Sequence, residues 1–237
     1  GSDLAGNTYA GTTNLVFTID NITPSAPVVN SQTTNDVTPT ITGTAEANTT
    51  VTVTVNGITY TTTAHGSGNW SITTNTLSSG TYSVTATSTD AAGNESPVGT
   101  GSLTVDNITP SAPIVNNQTT NDVTPTITGS AEANTTVSVT VNGTTYTTTA
   151  NSNGNWSITT TTLASGTYSV TATATDAVGN VSPVGTGTLL LDNITPSAPV
   201  VNSQTTNDVT PTITGTAEAN ATVSVTVNGT TYTTTAN

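Results

Sequence analysis

The acidic residues are the side chains in this sequence best suited to chemistry, and they recur at one interval. The chain has 237 residues, of which 13 are Asp or Glu, and it contains no Lys or Arg. Four sets of acids keep a spacing of 86 residues, and these are Asp20, Asp106 and Asp192; Asp36, Asp122 and Asp208; Glu46, Glu132 and Glu218; and Asp90 with Asp176. The acids are therefore placed by their position in a repeat.

Carboxylates that crowd together without a cationic neighbour have few ways to lower their energy. Two of them about 5 Å apart repel by roughly 3 kcal/mol at an effective dielectric constant near ~20. They either take up protons or bind a cation. Ca²⁺ suits flexible acidic loops because it accepts carboxylate, carbonyl and Asn oxygens, whereas Mg²⁺ demands a tight octahedron. The segments 90–94 (Asp-Ala-Ala-Gly-Asn) and 176–180 (Asp-Ala-Val-Gly-Asn) offer that mixture, so the sequence favours Ca²⁺.

The elements that must position these acids belong to an internal repeat. The octapeptide Asp-Asn-Ile-Thr-Pro-Ser-Ala-Pro begins at Asp20, Asp106 and Asp192. This frame predicts the tail of one repeat at 1–20, complete repeats at 21–106 and 107–192, and the first half of another at 193–237. The chain begins in the middle of the pattern, so we expect a fragment of a longer array.

Each repeat is predicted to form about seven short strands separated by turns. In the first complete repeat they are expected at 26–29, 38–43, 50–55, 59–63, 70–73, 81–87 and 99–105. Val51, Val53 and Val55 alternate with Thr, which indicates a strand with one buried face. Asn56 and Gly57 then predict a hairpin turn, because both residues tolerate positive φ. Tyr82 follows a Leu-Ser-Ser-Gly-Thr segment that resembles the tyrosine corner of immunoglobulin-like sandwiches. We predict an all-β chain of tandem seven-stranded immunoglobulin-like β-sandwich domains, arranged as an extended rod.

The predicted strand order places the acids at the ends of the sandwiches. The loop with Glu46 and the loop with Asp90 return to the end that the linker enters at Asp20. The predicted Ca²⁺ ligands are therefore Asp20, Glu46 and Asp90 at the first junction, Asp106, Glu132 and Asp176 at the second, and Asp192 and Glu218 at the third. Asp36 and Asp122 are further candidates from the opposite ends. The alternative is that these acids cap turns and keep the protein soluble.

Several segments resemble a known family. They are the octapeptide, 34–46 (Thr-Asn-Asp-Val-Thr-Pro-Thr-Ile-Thr-Gly-Thr-Ala-Glu), 68–72 (Gly-Asn-Trp-Ser-Ile) and 91–94 (Ala-Ala-Gly-Asn). Together they are similar to the bacterial immunoglobulin-like repeats of giant biofilm-associated adhesins. The resemblance implies an extracellular protein of the bacterial cell surface. In such a protein many domains project a distal tip, absent here, towards a host or abiotic surface, with Ca²⁺ at the junctions between neighbouring repeats.

Composition argues against several other functions. Without Lys or Arg the chain has no cationic groups with which to bind nucleic acid phosphates or an anionic membrane surface. No apolar run is long enough for a membrane span. His65 is the only histidine and its counterpart is Asn151, so an acid–base role would not recur between repeats. We expect no enzymatic activity.

A direct binding module is the alternative function. Trp70 and Trp156 are candidate stacking platforms for a carbohydrate, but the Ile two residues after each favours a place in the core. Thr-rich strands that lack Lys are poorly protected against pairing at a sheet edge. Homophilic association between copies of the chain is therefore a further alternative.

Overall fold

The structure, a computed structural model, describes residues 4–6 and 17–237. Most of the predicted tail at 1–20 lies outside these residues. The described residues form β-strands and no helix, and so none that could cross a membrane. The chain divides into two compact units, the first Gly1–Pro110 with Thr175–Val181 and the second Ser111–Ala174 with Ser182–Asn237.

The first complete repeat is a two-sheet sandwich of eight strands. Its strands are β1 (Val28–Val29), β2 (Gln32–Thr34), β3 (Thr40–Thr44), β4 (Thr50–Val55), β5 (Ile58–Thr63), β6 (Asn69–Thr73), β7 (Gly80–Thr89) and β8 (Gly99–Val105). One sheet has the order β1-β3-β6 and the other the order β2-β8-β7-β4-β5. The all-β, immunoglobulin-like prediction is confirmed.

A short strand that was not predicted follows β1, because the chain changes sheets there. β1 pairs antiparallel with β3, whereas β2 pairs parallel with β8 in the opposite sheet. The crossing occurs at Asn30 and Ser31, where the Asn30 N–H donates to the Thr42 carbonyl and the Ser31 hydroxyl accepts from the Ser102 N–H. The strand predicted at 26–29 therefore corresponds to β1 alone, β2 was not predicted, and the repeat has eight strands instead of seven.

Alternating side chains of both sheets fill the core. Val51, Val53 and Val55 are each at most 1% exposed, while the Thr residues between them are half-buried on the outer face. Trp70 is 2% exposed and belongs to the same core cluster. The predicted core position of this tryptophan is confirmed, and a stacking role at the surface is excluded.

Two local features predicted from sequence are also present. Asn56 and Gly57 have φ values of 50° and 74°, the left-handed conformation that a two-residue hairpin turn requires. The Tyr82 hydroxyl donates to the Ser78 carbonyl at 2.8 Å, which is the predicted tyrosine corner. The left-handed residues form the turn before β5, and the tyrosine hydrogen bond fixes the beginning of β7.

The second repeat has the same architecture, and its strands are β9 (Ile114–Val115), β10 (Gln118–Thr120), β11 (Thr126–Ser130), β12 (Thr136–Val141), β13 (Thr144–Thr149), β14 (Asn155–Thr159), β15 (Gly166–Thr175) and β16 (Gly185–Leu191). It has its own core cluster around Trp156. The last segment has β17 (Val200–Val201), β18 (Gly215–Thr216), β19 (Thr222–Val227) and β20 (Thr230–Thr235).

Candidate functional site

The loop after β7 is closed by the carboxylate of Asp90. Its Oδ1 accepts from the N–H groups of Ala92 and Asn94, both at 2.9 Å, and its Oδ2 accepts from Asn94 Nδ2 at 2.8 Å. The Asp90 N–H donates to the Asn94 carbonyl in return. Gly93 has a φ of 93°, which a residue with a Cβ rarely adopts. The Asp-x-x-Gly-Asn sequence therefore specifies a turn in which the acid already has three donors.

The equivalent loop after β15 repeats this geometry. Asp176 Oδ1 accepts from the N–H groups of Val178 and Asn180, both at 2.9 Å, and Oδ2 accepts from Asn180 Nδ2 at 2.7 Å. Asn180 is 8% exposed. Because both copies form the same bonds, the turn is a property of the repeat.

These hydrogen bonds favour the charged form of both acids. The Asn94 side chain and its N–H lower the pKa of Asp90 below its ordinary 3.8. Desolvation raises the pKa of Asp176, but the Asn180 side chain and backbone N–H groups outweigh it, and the net shift is downward. Donors that stabilise a carboxylate explain this direction.

The asparagine that ends each loop also binds the linker that enters its repeat. Asn94 Nδ2 donates to the Asp20 carbonyl at 3.2 Å, and Asn180 Nδ2 donates to the Asp106 carbonyl at 2.8 Å. The second contact lies within the first compact unit, which contains both Asp106 and Thr175–Val181. The predicted proximity of loop and linker is therefore present, but the contact is made by an amide and a backbone carbonyl. We call Asn94 and Asn180 the clamp asparagines.

The carboxylate of each linker acid accepts a hydrogen bond within its own turn. Asp20 Oδ1 accepts from the Ile22 N–H at 3.0 Å, and Asp106 Oδ1 accepts from the Ile108 N–H at 3.2 Å. Asp192 forms the same bond with Ile194 at 3.1 Å. Each of these carboxylates keeps free lone pairs, and Asp20 and Asp192 are exposed while Asp106 is half-buried.

Glu46 lies at the predicted end of the first sandwich. Thr50, where β4 begins, pairs with Thr89, where β7 ends, so the loops of Glu46 and Asp90 leave the sheet at the same end. The Glu46 side chain is exposed, and its carboxylate has no hydrogen bond among the described residues. Glu132 and Glu218 occupy the same exposed turn position in the later copies.

Asp36 lies at the opposite end, where the chain leaves the first sandwich. The Asp106 N–H donates to the Thr34 carbonyl at 2.8 Å, which places the outgoing linker beside this turn. Asp36 Oδ1 accepts from the Thr38 N–H at 2.8 Å. A Cβ at Gly179 would lie 3.6 Å from Asn35 Nδ2, so the loop of Asp176 also reaches this turn. Asp122 has the equivalent turn in the second repeat, with its Oδ1 2.9 Å from the Thr124 N–H.

The described residues do not form a preorganised metal-binding site. Nowhere within 4–6 and 17–237 do three or more acidic, His or Cys side chains come together in a way that would hold a metal ion. The strand order correctly places loops and linker at one end, but it does not determine the distances between carboxylates on exposed turns. The eight predicted ligands and the candidates Asp36 and Asp122 therefore stay predictions, and no three-carboxylate centre is found. The clamp asparagines were missed as linker contacts, although the Asp-x-x-Gly-Asn pattern marks them.

The fold and its repeated junction geometry define a tandem array of immunoglobulin-like β-sandwiches. The chain belongs to the bacterial Ig-like domain family, whose sequence pattern matches residues 25–107 and 111–193. These two ranges correspond to the two complete sandwiches. The repeat boundaries predicted at 21, 107 and 193 stay predictions.

Solved structures similar to this chain include domains of bacterial adhesins. One is a Ca²⁺-stabilized adhesin with which an Antarctic bacterium reaches out and binds ice, at 29% identity over 99% of this chain and 68% of the other, with a TM-score of 0.43. A second is a 1.5-MDa bacterial ice-binding adhesin, at 25% identity over 84% and 76%, with a TM-score of 0.38. A third is the BSP domain of a biofilm associated protein, at 26% identity over 73% and 30%, with a TM-score of 0.30.

These three TM-scores describe loose superposition, so family membership rests on the sequence match. No curated protein sequence matches the chain.

Proposed function

We propose that this chain is part of the stalk of a bacterial surface adhesin, outside the cell, which carries a distal binding tip through many successive domains. The observation that supports this most directly is the regular recurrence of one self-contained sandwich. Two complete copies have separate cores built from equivalent residues. Because each unit of such an array contacts mainly its neighbours, adding units lengthens the array and carries its distal end farther from the cell.

The linker contacts support a spacer role over a catalytic one. The clamp asparagines tie the Asp90 and Asp176 loops to the incoming linkers, which restricts the angles that each linker can adopt. Pro24 and Pro27 restrict the backbone torsions of the first linker further. Family membership points the same way, since the matched domain is a structural module. A hydrogen-bonded, proline-containing joint favours a stiff connection.

We propose that Ca²⁺ further stabilises a linker that hydrogen bonds already hold in place. The net charge of −13 without a single Lys or Arg and the free lone pairs of the turn carboxylates support cation binding. Asp36, Asp106 and the loop of Asp176 belong to one compact unit, and hydrogen bonds to the Asp106 backbone hold the three turns near one another. Ca²⁺ would use these oxygens as ligands.

A calcium titration of the metal-stripped chain tests this part of the proposal. A cation at about 100 times its dissociation constant stabilises the folded state by about 2.7 kcal/mol. We therefore expect Ca²⁺ to raise the thermal midpoint and to lengthen the particle measured by small-angle X-ray scattering. The control is the triple variant Asp106→Ala, Glu132→Ala, Asp176→Ala, in which the response should diminish. If neither the thermal midpoint nor the particle length changes up to about 10 mM Ca²⁺, above the weak extracellular range, the calcium part of the proposal is wrong. The linkers are then held by their hydrogen bonds alone.

A further inference from the structure

An unpaired strand edge recurs in every repeat. β5 and β13 are the terminal strands of their five-stranded sheets, and β20 pairs only with β19 among the described residues. Their sequences are nearly the same, Ile-Thr-Tyr-Thr-Thr-Thr in β5 and Thr-Thr-Tyr-Thr-Thr-Thr in β13 and β20. We call these three strands the threonine edges.

The register shows which backbone groups of the first edge are free. Residues of an antiparallel pair alternate between hydrogen-bonded positions and closer, non-hydrogen-bonded ones. Thr54 and Thr59 form a close pair, with their hydroxyl oxygens 3.2 Å apart. Thr59, Thr61 and Thr63 therefore direct their N–H and C=O groups away from β4, and no described residue forms a backbone hydrogen bond with them. Their side chains are exposed.

Within the described residues, the threonine edges lack the usual protection against pairing with another strand. Sheet edges in soluble proteins are usually guarded by Lys, Pro, a bulge or a covering element. The threonine edges contain no Pro and no charged residue, and β5 and β13 each pair with their neighbour in continuous register over six residues. Thr and Tyr also have high β-propensity. Each edge is therefore a regular, open template for one more strand.

Charge distribution makes the edges the least repulsive part of an acidic molecule. The acids of the described residues lie in turns and linkers, outside every strand, although the net charge is −13. Repulsion between exposed charges is screened beyond a Debye length of about 8 Å at physiological salt. Two neutral edges can therefore meet without placing like charges opposite each other.

We propose that a second copy of this chain pairs with the threonine edges, strand to strand. Main-chain hydrogen bonds would join the free groups, as in other cases where a strand is added to an exposed sheet edge. A second copy is the partner that the sequence best matches, because it presents the same edges at the same interval of 86 residues. Several weak pairings in one complex raise the total affinity through effective concentration. This self-association goes beyond the stalk role and does not require calcium.

Sedimentation equilibrium in buffer with a metal chelator tests the inference independently of calcium binding. We expect reversible self-association that strengthens as NaCl rises from about 10 mM to about 150 mM, because salt screens the repulsion between acidic chains. In the edge variant Thr61→Lys, Thr147→Lys, Thr233→Lys, one Lys guards each edge. Its dissociation constant should be at least about tenfold higher.

The matched control places three Lys residues on inner strands of the same sheets, in Thr85→Lys, Thr104→Lys, Thr171→Lys. Both variants reduce the net negative charge equally, so a loss of association confined to the edge variant cannot come from net charge. Hydrogen exchange should also show protection of the Thr61 and Thr147 amides in the associated wild type. The inference is wrong if the wild type stays monomeric at all salt concentrations, if both variants associate equally, or if only irreversible fibrils form.

Discussion

The clamp asparagines perform two roles with one side chain. Asn180 Nδ2 contacts both the Asp176 carboxylate and the Asp106 carbonyl, so the loop conformation and the linker position depend on each other. Asp is unsuited to this position, since a carboxylate has no N–H to donate at neutral pH. The residue that holds the linker is therefore neutral, although acids surround it in the sequence.

Replacing Asn180 with Ala should weaken the connection to the linker. The variant leaves the Asp106 carbonyl and one Asp176 oxygen without their donor, and we expect a loss of about 1 kcal/mol in the free energy of unfolding. Urea denaturation measures it. Asn75→Ala is the control, because the Asn75 side chain is exposed and forms no hydrogen bond among the described residues. Equal stability of the two variants would contradict a clamp role.

Acid should destabilise the loops through Asp90 and Asp176. Their pKa values in the folded protein are below 3.8, so the charged form is favoured by folding. This contribution is complete above pH 3.8 and is lost as pH falls through the lower, folded pKa. The thermal midpoint should therefore decline below about pH 4, and carboxyl NMR titration should give both values directly. In Asn94→Ala, Asn180→Ala both pKa values should rise; unchanged values would contradict the assigned cause.

At the scale of the strands, a glycine allows the tryptophan to enter the core. Gly43 in β3 pairs with Trp70 in β6, and a Cβ at Gly43 would lie 2.0 Å from the Val28 carbonyl oxygen and 2.3 Å from Trp70 Cζ2. Gly129 and Trp156 repeat this arrangement. Close packing of ring and backbone therefore requires a residue without a side chain at this position of β3.

Gly43→Ala should destabilise the first sandwich selectively. The added methyl group must displace backbone or the Trp70 ring, and overpacking of this kind costs about 3 kcal/mol. Gly66→Ala is the control, since a Cβ there has no neighbour within 4 Å. Calorimetry should show one of two unfolding transitions shifted to lower temperature in Gly43→Ala alone. A uniform shift of both transitions would mean that the two cores unfold together.

Strand prediction succeeded where alternation was uninterrupted and failed where the backbone changed partners. β4 was predicted with the observed bounds because Val and Thr alternate throughout it. β2 was missed, since Gln32–Thr34 contains no apolar residue and forms a strand only because β8 lies beside it. Strand two was predicted to begin at 38, but Thr38 N–H is bound by Asp36 in a turn, and β3 begins at Thr40.

The whole molecule combines a regular array of domains with charges of a single, negative sign. Each complete sandwich buries its own core, so the 86-residue period is also the period of packing. Within the described residues the charges, all of one sign, lie in turns and linkers, and the strands are neutral. Repetition therefore multiplies both the linker contacts and the exposed edges, and any weak interaction of one repeat becomes stronger in a long chain.

The sequence by itself determined the repeat, the all-β class, the tryptophan cores, the hairpin turns and the end of the sandwich at which the Glu46 and Asp90 loops lie. These follow from local patterns, because alternation and turn residues act over a few neighbouring positions. Only the tertiary structure decided that the chain crosses after β1 to form β2 in the opposite sheet, that asparagine amides hold the linkers, and that the described carboxylates do not converge as a cluster of three. Those outcomes depend on distances between segments far apart in the chain, and such distances are set by how the sheets pack.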